Sequence, residues 1–466
     1  MLISKSDNLT KWLIFIGAIS FLPTLFFYLT GEEGIYIITS MEMWYQNNWV
    51  QQIMYGNDNQ RPPLVNWLIM PVANLIGWAH VVIAARSVSI AATLGMVGCL
   101  YWLSRKLFAD KSFALFAALA GLSLADLLIY RGWLTYTDPV FAFFTFGAMA
   151  TLWVATIERH RGWLLVSVLL VSCAMLSKAF TAYIFYGTTA LVLLWQRQHR
   201  GFLLSPMSVM IFALAFIVPV AWFTSIPQIG GHSATMFDEI VRKLSIENWL
   251  GYAGRLLAYP IEIAIRLSPV VLLASYLLLR KRTLEPETAP DRFQAAFFIA
   301  ALSVLPYWFA PHGGSRYILP VYPFVALVGA RIIWRAGETA RVMALRWFAA
   351  VIAFKLIFAL ILFPYYQTHY RGENYTKAGR DIMELTGGHP LYVTDVSSSG
   401  LCVTGFIDIQ RYPLPPIVYP PPQWQTGFLI SRINDPSIGK LVRHYKLAAD
   451  DLFLLCRGEA CAVTGQ

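Results

Sequence analysis

Charge is scarce in this chain. Only 13% of its residues are Asp, Glu, Lys or Arg, while 57% are hydrophobic. Soluble domains carry roughly 25% charged residues. With a mean hydropathy of +0.55, the chain cannot cover a water-soluble surface and belongs to the membrane class. Cysteine is also sparse: five residues, too few and too scattered for a disulfide scaffold or a zinc site. Cys99 and Cys173 lie in apolar runs and read as packed thiols. Cys456 and Cys461 flank an Arg-Gly-Glu-Ala turn, and could close a hairpin disulfide if that end is extracytoplasmic. No internal repeat and no low-complexity segment is visible, and the first apolar run, Leu13 to Leu29, lacks an obvious cleavage site.

The formal charge of +10 does not point to nucleic acid, because the basic residues fall in short clusters between apolar runs. These clusters are Arg105, Lys106 and Lys111; Arg159 and Arg161; Arg197 and Arg200; Arg280, Lys281, Arg282 and Arg292; and Arg331, Arg335, Arg341 and Arg346. The runs lie at about 13–30, 81–103, 112–130, 137–157, 163–177, 179–196, 206–226, 259–279, 293–310, 317–334 and 347–364, which predicts about eleven spans. With Lys5 and Lys11 in the cytoplasm, alternate connections become cytoplasmic and every cluster lands on that side. An odd number of spans then leaves the C-terminus outside.

The long connections fall on the opposite face: 31–80, 227–258 and everything after about 365. Within the first, Met41 to Trp49 and Pro63 to Trp78 read as interfacial helices. After Arg371 the composition changes, and strand-like stretches Pro390–Thr394 and Asp451–Cys456 flank a proline-rich loop, Tyr412–Pro422. The predicted organisation is a transmembrane domain over 1–365 and a small α/β domain over 366–466 outside the membrane.

The first outer loop opens on Glu32-Glu33-Gly34-Ile35-Tyr36, then carries Glu42-Met43, Asn47-Asn48-Trp49 and Gln60-Arg61-Pro62-Pro63-Leu64. Downstream come Arg131 with Thr137-Asp138-Pro139, then Leu176-Ser177-Lys178-Ala179, then Pro219 with Trp222-Phe223. Last comes Arg316-Tyr317-Ile318-Leu319-Pro320-Val321-Tyr322-Pro323. Plain readings exist for each: Asp138 could cap a helix with proline at its first position, and Lys178 and Arg316 could snorkel from span ends. Lys355, inside the last apolar run, reads as a snorkelling lysine too.

Taken in order over about residues 11–365, these segments resemble the lipid-linked sugar glycosyltransferases of the GT-C fold. The nearest likeness is to the bacterial aminoarabinose-to-lipid-A transferases and the protein O-mannosyltransferases. The sequence departs from their pattern at Glu32, where the family has Asp, at Ile35 for arginine, at Arg61 for lysine and at Gln60 for an acid. The resemblance implies an all-α polytopic membrane protein of the bacterial inner membrane, monomeric, with its active site and C-terminal domain in the periplasm. It implies a polyprenyl-phosphate sugar donor, undecaprenyl in bacteria, and a lipid A, glycan, glycolipid or protein acceptor.

The site it implies has Glu32 as general base, with Glu33 and Asp138 orienting acceptor or sugar. Arg61, Lys178 and Arg316, with Arg131 as a further candidate, would hold the lipid phosphate, and Tyr36 and Tyr317 would contact acceptor or sugar. No obligatory cofactor is expected, although His232, Asp238, Glu239 and Glu247 in the second outer loop could hold a divalent metal. A transporter or flippase is the alternative from another class, and would place charges near the bilayer midplane between repeated halves. A non-catalytic scaffold is the other.

Overall fold

The computed structural model describes residues 2–59, 61–178, 180–226, 245–246, 248–448 and 450–463. Each of the predicted apolar runs contains a helix. Among the described residues seven helices are long and apolar enough to cross a membrane: Asp7–Phe26, Trp78–Phe108, Thr137–Glu158, Pro206–Ser225, Pro290–Phe309, Ser315–Arg335 and Glu338–His369. Trp249–Arg266 and Val270–Leu279, bent by 108°, form an eighth if they make one span. Lys111–Leu122, Arg161–Ser177 and Thr181–Trp195 are apolar but shorter. The run at 112–130 is shortened for a physical reason. Its α-helix stops at Leu122, and Asp126–Arg131 continues as a single π-helical stretch whose charged ends are drawn into ion pairs.

The chain divides into two compact units, and the division is not a single cut. The first gathers 1–21, 90–133 and 137–356; the second gathers 22–89, 134–136 and 357–466. In the membrane unit, Trp153 stacks on Phe324, and Trp133, Phe116 and Phe146 are wholly buried. Lys355 is buried rather than snorkelling: its Nζ donates to the Ile129 carbonyl at 3.3 Å and lies over the Phe21 and Trp133 rings. An apolar span offers a buried ammonium few partners, so aromatic faces and a carbonyl replace water.

The second unit combines the first long loop with the C-terminal residues. Its first helix is Glu33–Tyr45, where the sequence suggested an interfacial helix over Met41 to Trp49. A two-stranded hairpin follows, β1 (Gln52–Met54) and β2 (Asn57–Asn59), and then the helix Leu64–Ile76. The C-terminal part carries β3 (Leu391–Val393), β4 (Gly427–Ser431), β5 (Lys440–Leu447) and β6 (Asp450–Arg457), in the order β3-β4-β6-β5. β3 and β4 pair in parallel, and β4–β6 and β5–β6 are antiparallel. Trp424, Leu429 and Leu455 form a small core on this sheet, and Cys456 and Cys461 are disulfide-bonded. Helix Glu33–Tyr45 packs on helix Ser398–Arg411 so closely that a Cβ at Gly34 would stand 2.5 Å from the Leu401 carbonyl oxygen.

Candidate active site

In the membrane unit, charged side chains converge from the ends of several helices. Asp138, in the first turn of helix Thr137–Glu158, binds the Lys178 ammonium, which projects from the C-terminal end of helix Arg161–Ser177. Its second oxygen stands 3.8 Å from Arg131 Nη1. Arg131 Nε is in turn 3.3 Å from Asp126 Oδ2, and Asp126 also accepts from Arg266 Nη1 at 2.7 Å and from the Tyr322 hydroxyl at 2.8 Å. Arg266 reaches Glu262 one turn back at 2.8 Å, and Glu262 accepts from Ser315 Oγ at 2.7 Å. Beside Ser315, Arg316 lies 5.3 Å from the Tyr317 ring centre, and Lys178 Nζ sits 4.7 Å above the same ring. Arg255 completes the group by donating to the carbonyls of Tyr307, Ala310 and Gly313.

Among the described residues this cluster holds three carboxylates (Asp126, Asp138, Glu262) and five cations (Arg131, Lys178, Arg255, Arg266, Arg316). A phosphate is the anion that arginine and lysine grip best.

The remaining predicted site residues belong to the second unit. Gly31, with φ +59°, turns the chain so that Glu32 falls at the N-cap of helix Glu33–Tyr45. The Glu32 side chain makes no capping hydrogen bond, and it is partly exposed. Glu33 is wholly buried in an ion pair with Arg86 at 2.6 Å. Its carboxylate also accepts from Arg86 Nε and from the backbone N–H of Thr30 and Thr135, each at 3.0 Å. Arg86 uses all five of its N–H groups, the others going to the carbonyls of Thr24, Phe27 and Tyr28. The partners of Glu33 are thus the chain itself, and the pair clamps the segment that carries Glu32. Tyr36 is buried on the same helix, whereas Arg61 is exposed just before the Pro62-Pro63 turn.

Glu42 has a comparable structural task. Tyr55 and Gly56 form the β1–β2 turn with φ of 56° and 79°, and Glu42 accepts from both backbone N–H groups, at 2.5 and 2.8 Å. Burial raises the Glu42 carboxyl to about 7, against the opposing pull of those two N–H donors. Asp408, also buried, is pushed up to about 8 by burial and further by the charge of Glu42, while the Ile417 N–H draws it down. The folded unit therefore holds protons that the unfolded chain would release above about pH 4, so stability falls as pH rises towards about 8. The thermal midpoint in detergent should drop between about pH 5 and about pH 8.5, and Asp408→Asn should flatten that slope. An unchanged slope in Asp408→Asn would remove Asp408 from this account.

Sequence reasoning missed Arg86, Asp126, Glu262 and Arg266, all of which lie inside the apolar runs or their immediate extensions. The available signal was their charge, because an ionisable residue within a spanning segment needs a partner or a task. His232, Asp238, Glu239 and Glu247 lie outside the described residues. Among those described, no group of three or more His, Cys, Asp or Glu side chains could hold a metal ion.

Residues 60–223 match the dolichyl-phosphate-mannose-protein mannosyltransferase family. No curated protein matches the chain in sequence. Among solved structures, ArnT from Cupriavidus metallidurans bound to undecaprenyl phosphate superposes with a TM-score of 0.67 at 15% identity, over 98% of each chain. The apo form of that protein gives 0.62 at 16% identity, over 98% of this chain and 99% of that one. The oligosaccharyltransferase of Archaeoglobus fulgidus, in complex with zinc and sulfate, gives 0.51 at 13% identity, over 85% of this chain and 61% of its own. At these identities the likeness is one of fold. The chain is a multi-span membrane protein with the GT-C fold that ArnT has.

Proposed function

We propose that the protein transfers a monosaccharide from a polyprenyl-phosphate carrier to an acceptor hydroxyl on the extracytoplasmic face of the inner membrane. The observation that carries this reading is the cation-rich cluster around Asp138, Lys178 and Tyr317 in the membrane unit. The fold is that of a protein solved with undecaprenyl phosphate, which supports a lipid phosphate as the anion. In the reaction the acceptor oxygen attacks the anomeric carbon and the bond from that carbon to the phosphate oxygen breaks. The hydroxyl proton passes to a carboxylate, and the anomeric centre inverts. A phosphate leaves without a strong acid, provided positive charge meets it.

On this reading Lys178 and Arg316 hold the phosphate, assisted by Arg61. Lys178 has three N–H donors and gives one to Asp138, so the others remain for phosphate oxygens. Arg131, between Asp126 and Asp138, is a positioning residue. Tyr317, with Tyr36, contacts acceptor or sugar, Glu32 is the base, and Glu33 with Arg86 positions it. The acceptor is a hydroxyl of lipid A, another glycan, a glycolipid or a protein.

The test is transfer by membranes containing the chain, supplied with radiolabelled polyprenyl-phosphate sugars and an envelope extract as acceptor pool. The wild type should yield a labelled product. Lys178→Met should raise KM for the donor and lower kcat/KM by roughly 10- to 100-fold, the worth of one charged hydrogen bond. Absence of transfer from every donor by a folded wild type would overturn the enzyme reading in favour of transport.

A further inference from the structure

The opposite end of helix Thr137–Glu158 borders a second basic feature. Its 22 residues span about 33 Å, so whatever binds beyond Glu158 is remote from Asp138. There a cavity of about 530 Å³ opens among Arg159, His160, Arg161, Gly201, Phe202 and Ser205. The nearest acid, Glu158, is already engaged by Lys106 at 2.5 Å and by Trp163 Nε1 at 3.0 Å. Among the described residues neither Arg159 nor Arg161 has a side-chain hydrogen bond or ion pair with a carboxylate. Two cations facing one cavity with no anion of the protein's own make a site for one from outside.

The surroundings define which anion. Helices Arg161–Ser177 and Pro206–Leu214 pack together and both begin at this cavity. Just beyond it their outer faces expose Leu165 and Leu169 on one, and Met207 and Met210 on the other. Trp163, next in sequence to Gly162 of the cavity lining, packs on Trp102, and tryptophans are enriched at headgroup depth. We infer that this cavity binds the phosphate headgroup of an anionic membrane phospholipid, with its acyl chains along the exposed Leu165–Leu169 and Met207–Met210 faces. Arg159 and Arg161 grip the phosphate. Nothing in this inference depends on the sugar-transfer reading.

The test is native mass spectrometry of the detergent-purified full chain with added phosphatidylglycerol. Phosphatidylcholine serves as zwitterionic control and inorganic phosphate as competitor. One phosphatidylglycerol should remain bound in the wild type, and Arg159→Gln/Arg161→Gln should weaken it about tenfold or more. Gly201→Phe provides a variant that keeps both arginines. A Cβ there meets nothing within 4 Å, so the added bulk has room to start at the cavity wall, and it should weaken binding. Retention of the lipid by both variants, or equal binding of phosphatidylcholine, would overturn the site. Displacement of the lipid by inorganic phosphate would also overturn it, by assigning the cavity to a soluble phosphate.

Discussion

Glu32→Gln is expected to abolish most of the sugar transfer while leaving the protein folded: a fall of at least about 100-fold in kcat, with the donor KM little changed. Both halves of that expectation have separate causes. An acceptor hydroxyl is a poor nucleophile until its proton has somewhere to go, and an amide cannot take it. Glutamine keeps the shape of Glu32, which makes no capping hydrogen bond and is partly exposed. Thermal midpoint and yield should therefore match the wild type. Glu32→Asp shortens the reach by one methylene and should fall between the two, although aspartate is what the family resemblance has at this point. Equal transfer by Glu32→Gln and wild type would sink the base assignment and move attention to Asp138, since Glu33, the remaining predicted carboxylate, is buried against Arg86.

The contrast between Glu32 and its neighbour marks what the sequence could and could not say. Two adjacent acids after the first apolar run announce a special loop, yet nothing in their order separates an exposed carboxylate from a buried one. The difference comes from Arg86, 53 positions downstream of Glu33, and from the backbone N–H of Thr135. Contacts of that range are fixed by packing and have no local signature. Asp138 and Lys178 were easier to find, because each ends an apolar helix and hydropathy alone locates such ends. Asp126 and Arg266 sat within apolar runs, where averaging hides a single charge, and they prove to be the centre of the membrane-unit network.

Element boundaries follow the same logic. Each apolar run read from hydropathy contains a helix, because lipid and backbone hydrogen bonding leave an apolar segment few other choices. Yet among the described residues only seven helices, or eight with the bent pair, have spanning length. At 112–130 the α-helix stops at Leu122 and a π-helical stretch carries Asp126 and Arg131, whereas the buried Arg86 and Lys355 sit in unbroken helices. In the C-terminal part the strands at Leu391–Val393 and Asp450–Arg457 were visible as β-branched and aliphatic stretches. The charged edge strand Lys440–Leu447 was not, since its alternation is mostly polar and its place is set by pairing with β6. The Glu42-Met43 pair illustrates a third case. As a motif it carried no stated chemistry, and its role as acceptor for the β1–β2 turn depends on two left-handed residues 13 and 14 positions later.

Arg86→Met should destabilise the second unit by about 3–5 kcal/mol, the usual cost of leaving one member of a buried ion pair without the other. The magnitude follows from geometry rather than from the pair's own attraction. Glu33 would keep the Thr30 and Thr135 N–H donors but lose both contacts to the guanidinium, in a site with no access to water. The carbonyls of Thr24, Phe27 and Tyr28 would lose their Arg86 donors at the same time. A folded protein has only about 5–15 kcal/mol in hand, so poor yield and a lowered melting midpoint in detergent are the expected outcome. Adding Glu33→Gln separates the charge from the contacts: the double variant should be less destabilised than the sum of the single ones, because the unpaired carboxylate is gone. Limited proteolysis reads the consequence for the loop, since residues 28–33 lose their anchor and should be cut sooner than in the wild type. If Arg86→Met melts within roughly 1 kcal/mol of the wild type, the pair is not the clamp, and Glu33 returns to the list of residues that touch acceptor or sugar.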